Sequence, residues 1–293
     1  MSSAVDTTVR PVRRRRSRRK LVRRVVLNAT AVLVLAIMVF PVYWMIATAF
    51  KRGVDIFADT PQWIPRHPTL VNFSDAIHKP FFWTDVKNSV IVVLVVVAVS
   101  LVLAFLAALA LAKFRFTGRK LFIVLMIGIQ TIPQNALIIP LYVVLARYHQ
   151  VNKLSGVIVT YLTFVLPFSI WTLRGFVVGI PRDLEEAAMV DGNTRFGAFV
   201  KILLPLVAPG LVATAVFAFI QAWNEFIFAY ILLSSNEKQT ATVWLSSFLG
   251  TGRGTDWGGL MAGATLIAIP VVIFFVLVQR RIAFGLTAGA VRG

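Results

Sequence analysis

Apolar residues run through this sequence in six long stretches, separated by short segments that hold nearly all of the charge. The stretches are Val25 to Phe50, Ser89 to Ala112, Leu121 to Ala146, Gly156 to Ile180, Leu206 to Leu233 and Trp257 to Val278. A helix rises ~1.5 Å per residue and a bilayer core is ~30 Å thick, so about 20 apolar residues cross it once. Each stretch is long enough. Pro133 and Pro140 lie inside the third and Pro167 inside the fourth; a spanning helix keeps such residues where neighbours or a wet cavity satisfy the freed carbonyls. The first stretch is too long for a signal-peptide core, so it is expected to remain. The pattern predicts an all-α membrane protein with six transmembrane helices.

Composition agrees. Of 293 residues, 58% are apolar and only 14% charged, against roughly 25% charged in soluble proteins. Such a chain cannot cover itself in water, and a soluble enzyme is excluded. The absence of cysteine removes disulfides, thiolate metal sites and a catalytic thiol. His67, His78 and His149 are far apart and outside the apolar runs, so no metal site is expected. The 30 lysines and arginines set the orientation: with six spans both termini share a side, and that side collects 21 of them. The positive-inside rule puts both termini in the cytoplasm. The expected plan is a basic tail (1–24), a first span (25–50), an extracytoplasmic loop (51–88), a core (89–280) with a cytoplasmic elbow at 182–205, and a cytoplasmic tail (281–293).

The arginine-rich start, Arg10 to Arg24, abuts a span and has no interleaved aromatics. It reads as a topology anchor touching anionic lipid rather than a nucleic-acid arm. The outer loop carries Pro61, Pro65, Pro68 and Pro80 with Trp63, Phe81, Phe82 and Trp83. It suits either an interfacial belt or a docking surface for an external partner. No Gly-Lys pair occurs, so no phosphate-binding loop can form; Gly250 to Gly259 is a glycine-rich flexible loop. This chain therefore holds no cofactor, and any ATP and magnesium belong to another subunit.

The segment Pro181 to Pro205 breaks the pattern, because four of the twelve acids fall between Asp183 and Asp191 on a side that should be basic. Asp183 with Glu186 three residues on suits a capping box, and acids in a first turn favour the helix dipole. Gly192 supplies the left-handed residue that ends a short helix. Asn193 or Thr194 then caps a second helix, expected to run to Leu204 before Pro205.

Polar residues inside the spans are few. Glu225 is the only acid within the six stretches, ~13 Å below the outer end at helical rise. A charge at that depth must be paired or wet. On a continuous helix, Gln221, Asn224, Glu225 and Phe228 share one face, and Phe219, Trp223, Phe226 and Tyr230 form another stripe. In the third stretch Gln130 and Gln134 share a face beside Pro133, with Asn135 adjacent. These groups either line a translocation path, exchanging hydrogen bonds with sugar hydroxyls, or hold helices together.

Glu186-Ala187-Ala188, then Gly192, nine residues, Ile202 and Leu204-Pro205 resembles the EAA signature of ABC importer permeases, with Asn193 where a small residue is common. Gln221-Ala-Trp223-Asn224-Glu225-Phe226 resembles the fifth-span motif of sugar-importer permeases of the maltose-permease G type. The ending from Gln279 to Gly293 is similar to that group's C-terminal tail, which reaches toward the ATPase pair. The resemblance implies the MetI-like transmembrane domain of a bacterial, multi-pass cytoplasmic-membrane protein, non-catalytic itself, that imports a sugar or oligosaccharide by alternating access. It implies coupling helices that dock on a separate ATPase through Glu185, Glu186, Ala187, Ala188, Asp191, Gly192, Ile202, Leu204 and Pro205. The implied partners are a second related permease, an ATPase dimer and an extracytoplasmic sugar-binding protein. An ion-coupled secondary transporter is the alternative; it would need more intramembrane charge than Glu225 provides and usually shows internal repeats.

Overall fold

The computed structural model describes residues 18–250 and 254–290. The start of the expected basic tail, three residues of the glycine-rich loop and the last three residues of the chain lie outside them. The described regular structure is helical: α1 (Arg18–Ala49), α2 (Gly53–Ile56), α3 (Val71–His78), α4 (Phe82–Lys113), α5 (Arg119–Gln130), α6 (Ile138–Arg147), α7 (Leu154–Val178), α8 (Asp183–Val190), α9 (Arg195–Ala198), α10 (Leu204–Asn224), α11 (Ile227–Leu232), α12 (Ala241–Trp244) and α13 (Trp257–Ala290). Five continuous helical segments are long and apolar enough to cross a membrane, and α5 with Gln134–Arg147 passes the same test as a pair bent by 100°.

The core forms around α4, α7 and α10. On α4 the buried positions Val92, Val96, Ser100, Ala104 and Ala108 recur every fourth residue, giving a stripe of small and β-branched side chains that lets α7 approach closely. Buried side chains form an outer cluster around Trp223, Phe228 and Trp244 and an inner one around Ala104, Leu173 and Val207. By contrast α1 is exposed at every residue from Val22 to Tyr43 and becomes buried only at Ala47, Thr48 and Ala49, where it runs beside α13. The outer loop folds back on the end of α1. Tyr43 Oη donates to the Trp63 carbonyl at 2.6 Å, the Trp63 ring lies 5.7 Å from that of Trp44, and Lys51 Nζ sits 4.0 Å over Trp44. This arrangement favours the interfacial reading of Trp63.

Four expectations are corrected. The second span starts at Phe82 rather than Ser89, because Phe82 and Trp244 pack together with ring centroids 5.0 Å apart and draw the first turn inward. Asp85, a second acid, is thereby fully buried within that helix. The third span is broken: α5 ends at Gln130 and a single 3₁₀ turn, Gln134–Leu137, leads into α6. Pro133, with ψ near 125°, disfavours helical geometry at the residue before it, whereas Pro140 falls in the first turn of α6, where it costs no hydrogen bond. The elbow's second helix does not stop before Pro205. Arg195–Asn224 is one 30-residue helix, with a wide π turn at Phe199–Leu203 that precedes Pro205 in the first turn of α10. Finally, the fifth span breaks after Asn224.

Candidate functional site: a bent cytoplasmic elbow and an amide-lined cavity

The elbow is built by local chemistry and two long-range ties. Arg182, not Asp183, is the residue before α8, and no side chain caps that helix; the expected capping box does not form. Asp183, Glu185 and Glu186 still occupy the first turn, where carboxylates favour the helix dipole. Glu185 is engaged: its Oε1 lies 2.5 Å from Lys113 Nζ, and Arg182 Nη2 donates to the Lys113 carbonyl at 2.6 Å. Both contacts clamp α8 to the inner end of α4.

Gly192 has φ +89° and turns the chain. Asn193 donates to the Ala188 carbonyl through its backbone N–H at 3.0 Å and through Nδ2 at 3.1 Å, and it accepts from Lys201 Nζ at 3.1 Å. Thr194 caps α9, accepting from the Gly197 N–H at 3.0 Å. Glu186, Ala187, Asp191, Gly192 and Pro205 are exposed, Glu185, Ile202 and Leu204 are half-buried, and Ala188 is buried. Leu204 packs against the inner core cluster. The two most exposed large apolar side chains of the elbow are Val190 at 87% and Phe196 at 75%.

The second feature lies between the two broken spans. An open cavity of about 440 Å³ is lined by Gln134, Tyr161, Phe164, Gln221, Asn224, Glu225 and Phe226, among others. A neighbouring one of about 170 Å³ adds Gln130 and Thr163 and shares Gln134, Phe164 and Gln221. Five of the six expected polar residues converge here; Asn135 lines neither cavity. Pro167 and Thr163 both line the smaller cavity, so the turn where Pro167 removes a helical hydrogen bond borders open space, and α7 stays continuous.

Glu225 does not sit on a helix face. It is extended, with φ −69° and ψ 128°, and its carboxylate reaches forward to α11. Oε1 accepts from the Phe228 N–H at 2.8 Å and Oε2 from the Ala229 N–H at 3.2 Å. Its carbonyl accepts from Thr242 Oγ1 at 2.8 Å and Tyr161 Oη at 3.5 Å. The expected single face from Gln221 to Phe228 is therefore split: Gln221, Asn224 and Glu225 face the cavity while Phe228 is buried. The expected aromatic stripe splits too, into stacked pairs Phe219–Trp223 and Phe226–Tyr230 on either side of the break. The carboxylate is satisfied by backbone donors at the break between α10 and α11. Among the described residues, no three histidine, aspartate or glutamate side chains group closely enough to hold a metal ion.

Five helices long and apolar enough to cross a membrane, a sharply bent apolar pair and an acidic elbow before the fifth apolar stretch are the plan of a multi-span membrane protein. Residues 100–287 match the family described as binding-protein-dependent transport system inner membrane component, and the chain belongs to it. The diacetylchitobiose uptake system permease protein DasC of Streptomyces coelicolor is 46% identical over 94% of this chain and 100% of its own length. The trehalose/maltose transport system permease protein MalG of Thermococcus litoralis is 34% identical over 94% and 99%. The trehalose transport system permease protein SugB of Mycobacterium tuberculosis is 35% identical over 89% and 95%. The fold is also that of a chain in a bacterial ABC transporter that imports the acidic polysaccharide alginate, with TM-score 0.76, 22% identity and coverage of 90% and 98%. In sequence the chain thus resembles the permease proteins of sugar-uptake systems, MalG among them.

Proposed function

We propose that the chain moves a sugar or short oligosaccharide into the cell by alternating access, driven by ATP that a separate subunit hydrolyses with magnesium. The observation that carries this reading is the convergence of both broken spans on one cavity lined by amides, a carboxylate and aromatic rings. Discontinuous helices expose polar backbone ends where a solute must be held at membrane depth. Glutamine and asparagine amides both donate and accept, as hydroxyl-rich ligands require, and Phe164 and Phe226 offer apolar faces to a sugar ring. The relatives whose names specify diacetylchitobiose, trehalose and maltose support a neutral di- or oligosaccharide as cargo.

The energy enters at the elbow. Glu186, Ala187, Asp191 and Gly192, with the exposed Val190 and Phe196, form a charged and apolar knob for the groove of an ATPase dimer. The complex is completed by a second permease and an external sugar-binding protein, in a bacterial cytoplasmic membrane with both termini inside. Ion coupling loses its main candidate, because the Glu225 carboxylate is engaged by two backbone N–H groups.

Reconstitution tests this directly. The purified chain with its co-expressed partners is expected to retain a nucleotide-hydrolysing subunit and to accumulate sugar only with ATP inside the proteoliposome. Gln134→Leu and Gln221→Leu should cut uptake at least tenfold while keeping the ATPase bound. Sugar uptake by the lone polypeptide, or normal uptake in both variants, would overturn the reading.

A further inference from the structure

The turn between α4 and α5 is a concentrated cationic surface between two apolar helices. Residues 113–121 carry Lys113, Arg115, Arg119 and Lys120 and no acid. Glu185, the carboxylate that reaches this turn, is held by Lys113; Arg115, Arg119 and Lys120 have no ion-pair partner among the described residues. These three line an open concavity of about 500 Å³, together with Phe116, Gly118 and Leu121.

An unpaired cluster of like charge is unfavourable unless a counter-charge covers it. The position of the cluster decides which. It joins two membrane spans on the side that collects the positive charge, so it lies at the cytoplasmic headgroup level. The surface leading away from it is apolar: Phe114 is 65% exposed, and Leu121, Val124 and Leu125 continue an exposed stripe down α5. Cations beside an apolar strip that enters the bilayer match an amphiphile with an anionic head and an acyl chain. A soluble acidic protein would not need the strip.

We infer that Arg115, Arg119 and Lys120 form a binding site for the phosphate headgroup of an anionic phospholipid of the inner leaflet, whose acyl chain lies along Leu121 and Val124. This site shares no residue with the elbow or the cavity and does not depend on what is transported.

Native mass spectrometry of the whole transporter, extracted from nanodiscs of mixed phosphatidylcholine and phosphatidylglycerol, reads the site directly. The wild type should retain phosphatidylglycerol in preference to phosphatidylcholine. Each single neutralisation (Arg115→Gln, Arg119→Gln, Lys120→Gln) should lower that retention roughly fivefold, the value expected for one cation at an anionic surface. Arg147→Gln, on the outer side, should not. Unchanged retention in the triple variant would overturn the proposal. So would displacement of the lipid by millimolar inorganic phosphate, which would reduce the site to a phosphate cradle. Loss of the ATPase from the triple variant with lipid retention intact would assign the surface to that partner instead.

Discussion

Lys113 and Glu185 meet at 2.5 Å although 72 positions separate them in the chain. The first is the last residue of α4 and the second lies in the first turn of α8, so the pair ties the elbow to the span that carries most of the packing with α7. Any displacement of α8 would thereby be handed to the bundle.

That tie predicts a charge-swap rescue. Lys113→Glu and Glu185→Lys should each lower the ratio of sugar transported to ATP hydrolysed several-fold. The double swap should recover at least half of that loss. Both side chains are partly exposed, so the coupling energy expected is about 1 kcal/mol. Transport and hydrolysis measured in the same proteoliposomes give the ratio; a double variant no better than the worse single one would show that the pair transmits nothing.

At Gly192 the prediction concerns backbone alone. A Cβ there meets no atom within 4 Å, yet φ is +89°, a region that non-glycine residues occupy at a cost of about 1–2 kcal/mol. Asparagine tolerates the left-handed region better than alanine, and proline cannot enter it. Coupled transport should therefore fall in the order Gly192, Gly192→Asn, Gly192→Ala, Gly192→Pro, with membrane insertion unchanged throughout. Equal transport by the alanine and asparagine variants would remove the bend from the mechanism.

The capping of α11 by Glu225 and a contact with the solute are separable, and variants divide them. Removing both acceptors with Glu225→Ala leaves the Phe228 and Ala229 N–H groups unpartnered and should cost about 1–3 kcal/mol of stability. Glu225→Gln keeps one acceptor but turns an N–H₂ toward the second donor, so an intermediate loss is expected. If the carboxylate serves only as a cap, uptake follows stability across the two variants. A pathway role requires more: uptake by Glu225→Gln at 20 °C, well below its melting temperature, should fall at least fivefold or shift in sugar preference. Normal rates with unchanged preference would leave the cap as its whole function.

The parts of the fold that are legible in the sequence are those determined locally. Apolar run length gives the crossings, Gly192 gives the bend and Thr194 the cap, each through chemistry within a few residues. The break after Asn224 is not marked by glycine or proline. It exists because Thr242 and Tyr161, distant in sequence, hold the Glu225 carbonyl, and because the carboxylate caps α11 in place of a preceding turn. An acid placed just before a short apolar helix is the one signal that was available. The cavity is half legible: the amides stand out as polar residues in apolar runs, but their convergence depends on a 100° bend whose size Pro133 alone does not set. Val190 and Phe196 stand out only when their exposure is seen, since an apolar residue in an amphipathic connection ordinarily faces inward.

The two broken spans are held in register by Asn152. Its backbone N–H donates to the Leu232 carbonyl at 2.7 Å, its Nδ2 to Ser235 Oγ at 2.7 Å, and its Oδ1 accepts from the Ser235 N–H at 3.1 Å. The turn between α6 and α7 is thereby pinned to the end of α11, and both half-spans around the cavity share one anchor. Asn152 has φ 59°, so the side-chain bonds and the backbone geometry can be tested apart. Asn152→Gly keeps the conformation and removes the side-chain bonds; Asn152→Ala removes the bonds and strains the backbone; Asn152→Asp keeps the acceptor, with the Ser235 hydroxyl free to donate in return. Thermal stability of the detergent-purified complex should fall in the order Asn152, Asp, Gly, Ala, with about 1–3 kcal/mol lost on removing the bonds and about 1 kcal/mol more from the strain. An anchor of the cavity must also affect transport: the glycine variant should lose uptake while its ATPase stays bound, and full uptake in that variant would show that the cavity keeps its shape without this tie.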